Sequence, residues 1–213
     1  MNYGKKGTAR KKKELTSKST MVRKKFTVIF CKTLLIGFFA IAVIGGCAGV
    51  GIVKGIIDSA PDISTIDATP AGTLSVVLDT DGNRTAKLLT SGSNRSEISI
   101  KQMPKNLQNA FIAIEDERFR EHNGIDIKGI IRAGITGITH GFHFSQGAST
   151  ITQQLLKNNV FTDWTTETGS DKWERKIQEQ YLAIQLEKRE SKDWILENYL
   201  NTINLGQNTL GVE

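Results

Sequence analysis

Residues 172–190 read KWERKIQEQYLAIQLEKRE, and this stretch is decisive for the fold class. At about 100° per residue, a helix places four of its apolar side chains on one face, those of Trp173, Ile177, Tyr181 and Ile184. Similar helical patterns cover residues 106–117, 126–139, 149–158 and 192–201. Two strand-like runs precede them, LSVVLD and RTAKLL, with Asp81-Gly82 between them as a hairpin signal. We therefore predict a mainly α domain preceded by a small β-hairpin, with an unpatterned surface loop at residues 163–170.

Two charged side chains interrupt the apolar pattern of that long helix. Arg175 precedes Glu179 by four residues and can contact it. Both share a stripe with Leu182 and Leu186, which predicts a half-buried ion pair. The alternative is a surface pair that contributes roughly a few tenths of a kcal/mol.

Glu115 is a second unusual carboxylate. It comes directly after the apolar residues 110–114. A carboxylate at the apolar end of a helix can lose water, and a desolvated carboxylate accepts a proton more readily, as a general base must. A solvated acidic helix end is the alternative. His122 has a capping or core position as its simplest explanation, and His140 and His143 lack further nearby Cys or His for a metal site.

Charge is distributed unevenly along the chain. Residues 1–32 hold 11 of the 28 Lys and Arg but one of the 22 acidic residues, so the body is mildly acidic. This tail lacks hydrophobic periodicity and is predicted to be disordered. A basic arm of this kind can bind nucleic acid. Here it precedes the apolar run 34–53, which is long enough to cross the ~30 Å hydrocarbon core. We therefore expect contact with anionic lipid head groups and no nucleic acid.

The same run sets the predicted topology. A basic cluster before an apolar span keeps the N-terminus in the cytoplasm and directs the C-terminal side of the span out of the cell. We predict a cytoplasmic tail at 1–33, a single-pass anchor at 34–53, a stalk and hairpin at 54–98, and the N-terminal part of a helical domain, truncated at its C-terminus, at 99–213. A cleaved signal peptide is the alternative, but apolar residues continue past Cys47. Cys31 and Cys47 both lie in or beside the anchor, so the exported part has no disulfide.

Four segments occur in order and read EDERFREHNG (115–124), QGASTITQQLLKN (146–158), RKIQE (175–179) and ILENYLN (195–201). They resemble the signatures of the family 51 glycosyltransferases, the polymerising domain of class A penicillin-binding proteins and monofunctional transglycosylases. The resemblance covers about residues 100–213. It implies a lysozyme-like helical fold. It also implies a reaction at the membrane that joins the growing lipid-linked glycan to lipid II with inversion and releases undecaprenyl pyrophosphate.

The resemblance also implies roles for individual residues. Glu115 would be the general base, and Glu179 a second acid that orients cations. Charge on the departing pyrophosphate would be met by Lys157, Arg175 and Lys176. Sugar or phosphate oxygens would be held by Ser149, Thr150, Gln153 and Gln154. Asp116 and His122 would shape the cleft. No cofactor is required, although Mg²⁺ or Mn²⁺ could assist at the pyrophosphate, and other cell-wall synthesis proteins are candidate partners.

Two departures from the family pattern stand out. Many members carry another Arg about one turn before the Arg-Lys pair, where this chain has Asp171 and Lys172. The fourth signature continues past residue 201 through Gly206 and Gly211-Val212, and the chain stops within it at Glu213. This predicts a truncated domain with missing walls, which is not expected to fold well or to be active as written. The alternatives to synthesis are a lytic transglycosylase or lysozyme-like hydrolase, and a non-catalytic cell-wall scaffold.

Overall fold

The computed structural model describes residues 4–15, 17–72, 75–88, 95–139, 147–206 and 209–213. It divides into two compact units, Met1–Gly55 and Ile56–Glu213. Its helices are α1 (Lys5–Leu15), α2 (Lys18–Asp58), α3 (Lys105–Glu115), α4 (Ile127–Thr139), α5 (Ile151–Asn159), α6 (Gly169–Arg189) and α7 (Lys192–Thr202). Its strands are β1 (Ser75–Leu78), β2 (Arg84–Leu88), β3 (Asn204–Gly206) and β4 (Thr209–Leu210). The predicted mainly α fold is confirmed.

The first unit consists of helical segments without a core. The tail is helical in α1, so the prediction of disorder there was wrong; its Lys and Arg side chains have good helix propensity. The predicted apolar run lies wholly inside α2, none of whose residues is buried. Within the described residues, α2 is the one helix long and apolar enough to cross a membrane, as judged by length and composition.

The core of the second unit is built around α5, which contacts both α6 and α7. Ile151, Leu155 and Leu156 of α5 are fully buried. The side chains of the neighbouring helices that complete this cluster include Leu182, Leu186, Leu196 and Leu200. A short helix thus becomes the centre of the domain because its partners cover it from two sides.

The most deeply buried face of α6 is the one that carries the charged pair. Trp173 is 76% exposed, whereas Arg175, Glu179 and Leu182 are buried. The pair predicted to be half-buried is therefore buried more deeply than expected. The helix also begins earlier than predicted, at Gly169, after a 3-10 turn at Thr162–Thr165. Residues 163–170 are thus largely structured rather than an open loop.

Residues ahead of α3 also contribute to the core. Ile66 and Ala68 are buried, and the Asn159 side-chain amide donates to the Ala68 carbonyl at 2.8 Å. The second unit begins at Ile56, so much of the segment predicted as a stalk packs with the domain. The predicted hairpin is confirmed: β1 and β2 pair antiparallel, and Gly82 turns between them at φ 82°.

A buried charged pair connects the ends of α6 and α7. The Glu187 carboxylate, 3% exposed, lies 2.7 Å from the Lys192 ammonium and accepts a 2.5 Å hydrogen bond from the Thr152 hydroxyl. The ammonium lies 4.4 Å from the centroid of the Phe119 ring. Burial lowers the pKa of Lys192, and the contact with Glu187 opposes that shift. The pair therefore ties α5, α6 and α7 to the turn after α3.

Replacing one partner of this pair tests its contribution to stability. Glu187→Gln leaves the Lys192 charge buried without a carboxylate, and we expect the free energy of unfolding to fall by about 3 kcal/mol. The control is Asp193→Asn, which breaks the exposed Arg120–Asp193 pair at 3.0 Å and should change stability by less than about 1 kcal/mol. Denaturant unfolding followed by circular dichroism measures both; equal effects would contradict the prediction.

Candidate active site

Glu115 is the last residue of α3 and lines a cleft of about 160 Å³. Gly147, Ala148 and Ser149 also line the cleft. Arg132 of α4 lines a further side. Glu115 is exposed, so the expected loss of water at this carboxylate is not observed. One of its oxygens accepts a 2.8 Å hydrogen bond from the Gln154 side-chain amide.

Asp116, the next residue, is the buried carboxylate of the pair. It accepts hydrogen bonds from the backbone N–H of Ile151 at 3.0 Å and from the His122 ring at 2.9 Å. The other ring nitrogen of His122 lies 4.0 Å from the Glu187 carboxylate. These contacts fix the turn after α3 against the start of α5. The geometry fits the predicted supporting role of Asp116 and His122, which stays a prediction.

Thr150 and Gln153 are buried at the start of α5, away from solvent. Both donate to the carbonyl of Gly124, at 2.8 Å from the Thr150 hydroxyl and 3.3 Å from the Gln153 amide. Gly124 adopts φ +90°, and a Cβ there would lie 2.5 Å from the backbone of Ala183. Because these polar groups are satisfied internally, the geometry does not support the prediction that Thr150 and Gln153 hold substrate oxygens.

Glu179 is fully buried inside a group of charges. One of its oxygens accepts from Arg175, and the other accepts from the Lys176 ammonium at 2.6 Å. Arg175 also donates to Glu167 at 2.7 Å. Lys176 reaches the Ser149 hydroxyl at 3.2 Å, at the wall of the cleft. The predicted half-buried pair is thus a buried network, and Glu179 orients both cations.

Lys157 interacts electrostatically with the charges of this network. Its ammonium lies 4.4 Å from the centroid of the Trp164 ring. Burial lowers the pKa of Lys157, and the positive charge of Lys176 lowers it further. The charges of Glu179 and Glu115 act in the opposite direction. Lys157 therefore lies where the fields of the cations and of both carboxylates overlap.

Several of these residues were not predicted from sequence. Tyr199 donates from its hydroxyl to Gln154 at 3.2 Å, and Arg132 and Glu167 carry charge at the site. Arg132 is the one arginine in the otherwise mostly apolar helix α4, and this charge could have indicated a functional position. Lys172, the doubtful replacement for the family Arg, is exposed. His140 and His143 lie outside the described residues, among which no cluster of three potential metal ligands occurs.

The fold and the cleft together are typical of a helical transferase domain, in which a carboxylate takes a proton and neighbouring cations meet an anionic leaving group. Residues 81–213 match the sequence profile of the family described as Transglycosylase. The chain belongs to the transglycosylase family.

Known relatives of this chain include three penicillin-binding proteins. It is 41% identical over 206 residues to penicillin-binding protein 1A of Clostridium perfringens, which covers 95% of this chain and 23% of that protein. The chain is 42% identical over 185 residues to penicillin-binding protein 1A of Clostridium botulinum; the match covers 85% of this chain and 22% of that protein. The chain is also 42% identical over 139 residues to penicillin-binding protein 1F of Bacillus subtilis; the match covers 65% of this chain and 18% of that protein. The chain spans less than a quarter of the length of these relatives.

Proposed function

We propose that this protein polymerises lipid II into peptidoglycan glycan strands with inversion and release of undecaprenyl pyrophosphate. One observation carries the proposal. An accessible carboxylate, Glu115, lines the same cleft as Ser149, and the Lys176 ammonium contacts that serine while it pairs with the buried Glu179. Family membership supports the same reaction class.

Glu115 fits the role of general base. The acceptor hydroxyl of a sugar is a weak nucleophile, so its proton must be taken as the oxygen attacks the anomeric carbon. Gln154 holds one oxygen of the carboxylate, and the Glu115 side chain is exposed and lines the cleft. The new C–O bond forms while the bond from that carbon to the pyrophosphate oxygen breaks. The proton moves to Glu115, and the bonding electrons leave with the pyrophosphate.

Lys157, Lys176 and Arg175 fit the stabilisation of the departing pyrophosphate. Negative charge grows on the leaving oxygen as the bond breaks, and fixed cations stabilise that charge in the transition state. Glu179 holds Arg175 and Lys176 in place. Both Glu179 oxygens accept hydrogen bonds from these cations. A divalent ion bound to the pyrophosphate itself stays a prediction.

The surface of α4 supports a substrate that is delivered from a membrane. Ile127, Ile131, Ile135 and Ile138 are all more than half exposed and recur at helical spacing. An exposed apolar stripe of this length is typical of contact with lipid or protein. We infer that the domain works at the outer face of the membrane, with anionic lipids next to the basic tail. Association with other cell-wall synthesis proteins stays a prediction.

Glu115→Gln tests the proposed base. The amide keeps the shape of the side chain but cannot accept the proton, so polymerisation of lipid II by the full-length protein should fall on the order of 10²-fold or more. Glu121→Gln is the matched control, because Glu121 is an exposed carboxylate of the same segment. Rates are measured by separating labelled glycan polymer from lipid II. If Glu115→Gln kept nearly the activity of the unsubstituted protein, another residue would have to be the base. Unchanged cell-wall function in this variant would fit a non-catalytic scaffold.

Lys157→Met separates synthesis from cleavage. The Met side chain keeps an apolar contact with Trp164 but removes the charge, so polymerisation should slow by roughly 10–10³-fold. Lys188→Met, an exposed lysine on α6, is the control. A lysozyme-like hydrolase acts on finished glycan without a pyrophosphate, so its rate should hardly respond to Lys157→Met. Release of soluble fragments from insoluble peptidoglycan, without any polymer from lipid II, would overturn the proposal.

Reporter fusions test the proposed topology. Because basic residues precede the apolar run, a reporter fused after Lys25 should be active only if it functions in the cytoplasm. A reporter fused after Glu213 should be active only if it functions outside the membrane. A cytoplasmic reporter that is active at Glu213 would contradict the predicted orientation.

A further inference from the structure

A chain of two hydrogen bonds connects α7 to the proposed base. The hydroxyl of Tyr199 donates to the side-chain oxygen of Gln154 at 3.2 Å, and the amide nitrogen of Gln154 donates to Glu115 at 2.8 Å. Tyr199 is 3% exposed, so its hydroxyl acts from inside the domain. It lies behind Gln154, and its hydrogen-bond partner is the glutamine rather than the carboxylate.

The chemistry of the three groups permits one arrangement. An ionised carboxylate only accepts hydrogen bonds, so Glu115 requires the NH₂ end of the Gln154 amide. The amide oxygen then points the other way and needs a donor, which Tyr199 supplies. Burial raises the pKa of Tyr199, and the negative charge of Glu115 raises it further, so the phenol keeps its proton. If the Gln154 amide were flipped, its oxygen would face the Glu115 carboxylate, and the hydrogen bond from the NH₂ group to that carboxylate would be lost.

The ring of Tyr199 has a separate packing role. It meets the Phe111 ring edge to face, with 6.4 Å between centroids. Phe111 lies on α3, four residues before Glu115. A Tyr199→Phe substitution keeps this ring contact and removes the hydroxyl alone. The polar and apolar contributions of this residue can therefore be separated.

We propose that Tyr199 is a positioning residue for the general base: its hydroxyl fixes the amide of Gln154, which in turn holds the carboxylate of Glu115 towards the acceptor hydroxyl. The inference rests on the proposed function, in that it assigns Glu115 as the base. It also gives Gln154 a task different from the binding of substrate oxygens, because its amide is occupied at both ends.

A double-mutant cycle on turnover tests the inference. In the full-length protein acting on lipid II, Tyr199→Phe should lower kcat by roughly 3–10-fold, as expected for one lost hydrogen bond, and leave KM within about twofold. Gln154→Met should lower kcat at least as far. Adding Tyr199→Phe to Gln154→Met should then change nothing, because the hydroxyl acts through the amide. Tyr181→Phe, on the partly buried tyrosine of α6, is the matched control.

Two results would overturn the inference. A purely structural role would lower the melting temperature and reduce kcat by the same factor in both backgrounds. An unchanged kcat in Tyr199→Phe would exclude any role of the hydroxyl while the proposed function stands. The proposed function is contradicted by a different result, namely that the unsubstituted protein makes no polymer from lipid II.

A second measurement does not depend on turnover. In protein labelled with ¹⁵N at glutamine side-chain amides, the Gln154 NH₂ signals are assigned by their loss in Gln154→Met. We expect them to lie away from the positions of solvated amides, and to move towards those positions in Tyr199→Phe and in Glu115→Ala. Signals that stay in place in both variants would overturn the inference whatever the activity.

Discussion

The N-terminal end of α5 is the constraint on which the site depends. The first N–H groups of a helix lack internal partners and attract negative charge, and in many proteins they bind a phosphate. Here Asp116 takes the N–H of Ile151, and the Thr150 hydroxyl accepts from the N–H of Gln153. Two of the free N–H groups at this helix end are thus occupied by the protein itself. This supports the proposal that side-chain cations, rather than the helix end alone, stabilise the pyrophosphate.

The cations are not equivalent. Arg175 and Lys176 share the two oxygens of the buried Glu179, and Glu167 further neutralises Arg175. In the part of the chain that the structure describes, no carboxylate forms an ion pair with Lys157. Its neighbours Lys176 and Arg175 instead make its charged form less favourable. An anion placed between these cations would relieve that repulsion, which supports the proposal that they stabilise an anionic leaving group.

Periodicity predicts where helices occur but not which polar side chains they bury. The predicted helices of the second unit agree with the observed ones to within about three residues, and the hairpin matches too. The Arg175–Glu179 pair on α6 was predicted, but its full burial and its further partners Glu167 and Lys176 were not, because these contacts depend on how the helix packs. Thr150 and Gln153 carry the same groups whether they face substrate or the Gly124 carbonyl, and that carbonyl comes from a distant turn. Such tertiary partners have no signal in the local pattern.

The adjacent carboxylates Glu115 and Asp116 show how one turn of backbone separates two tasks. Helix α3 ends at Glu115, and Asp116 leaves the helical conformation with φ −158° and ψ 74°. The two side chains therefore point into different surroundings. Asp116 is 2% exposed and is occupied by His122 and the start of α5. A proton added to Asp116 would break contacts that hold α5 in place, whereas a proton added to Glu115 disturbs a single amide. This difference supports the proposal that Glu115, and not its buried neighbour Asp116, is the general base.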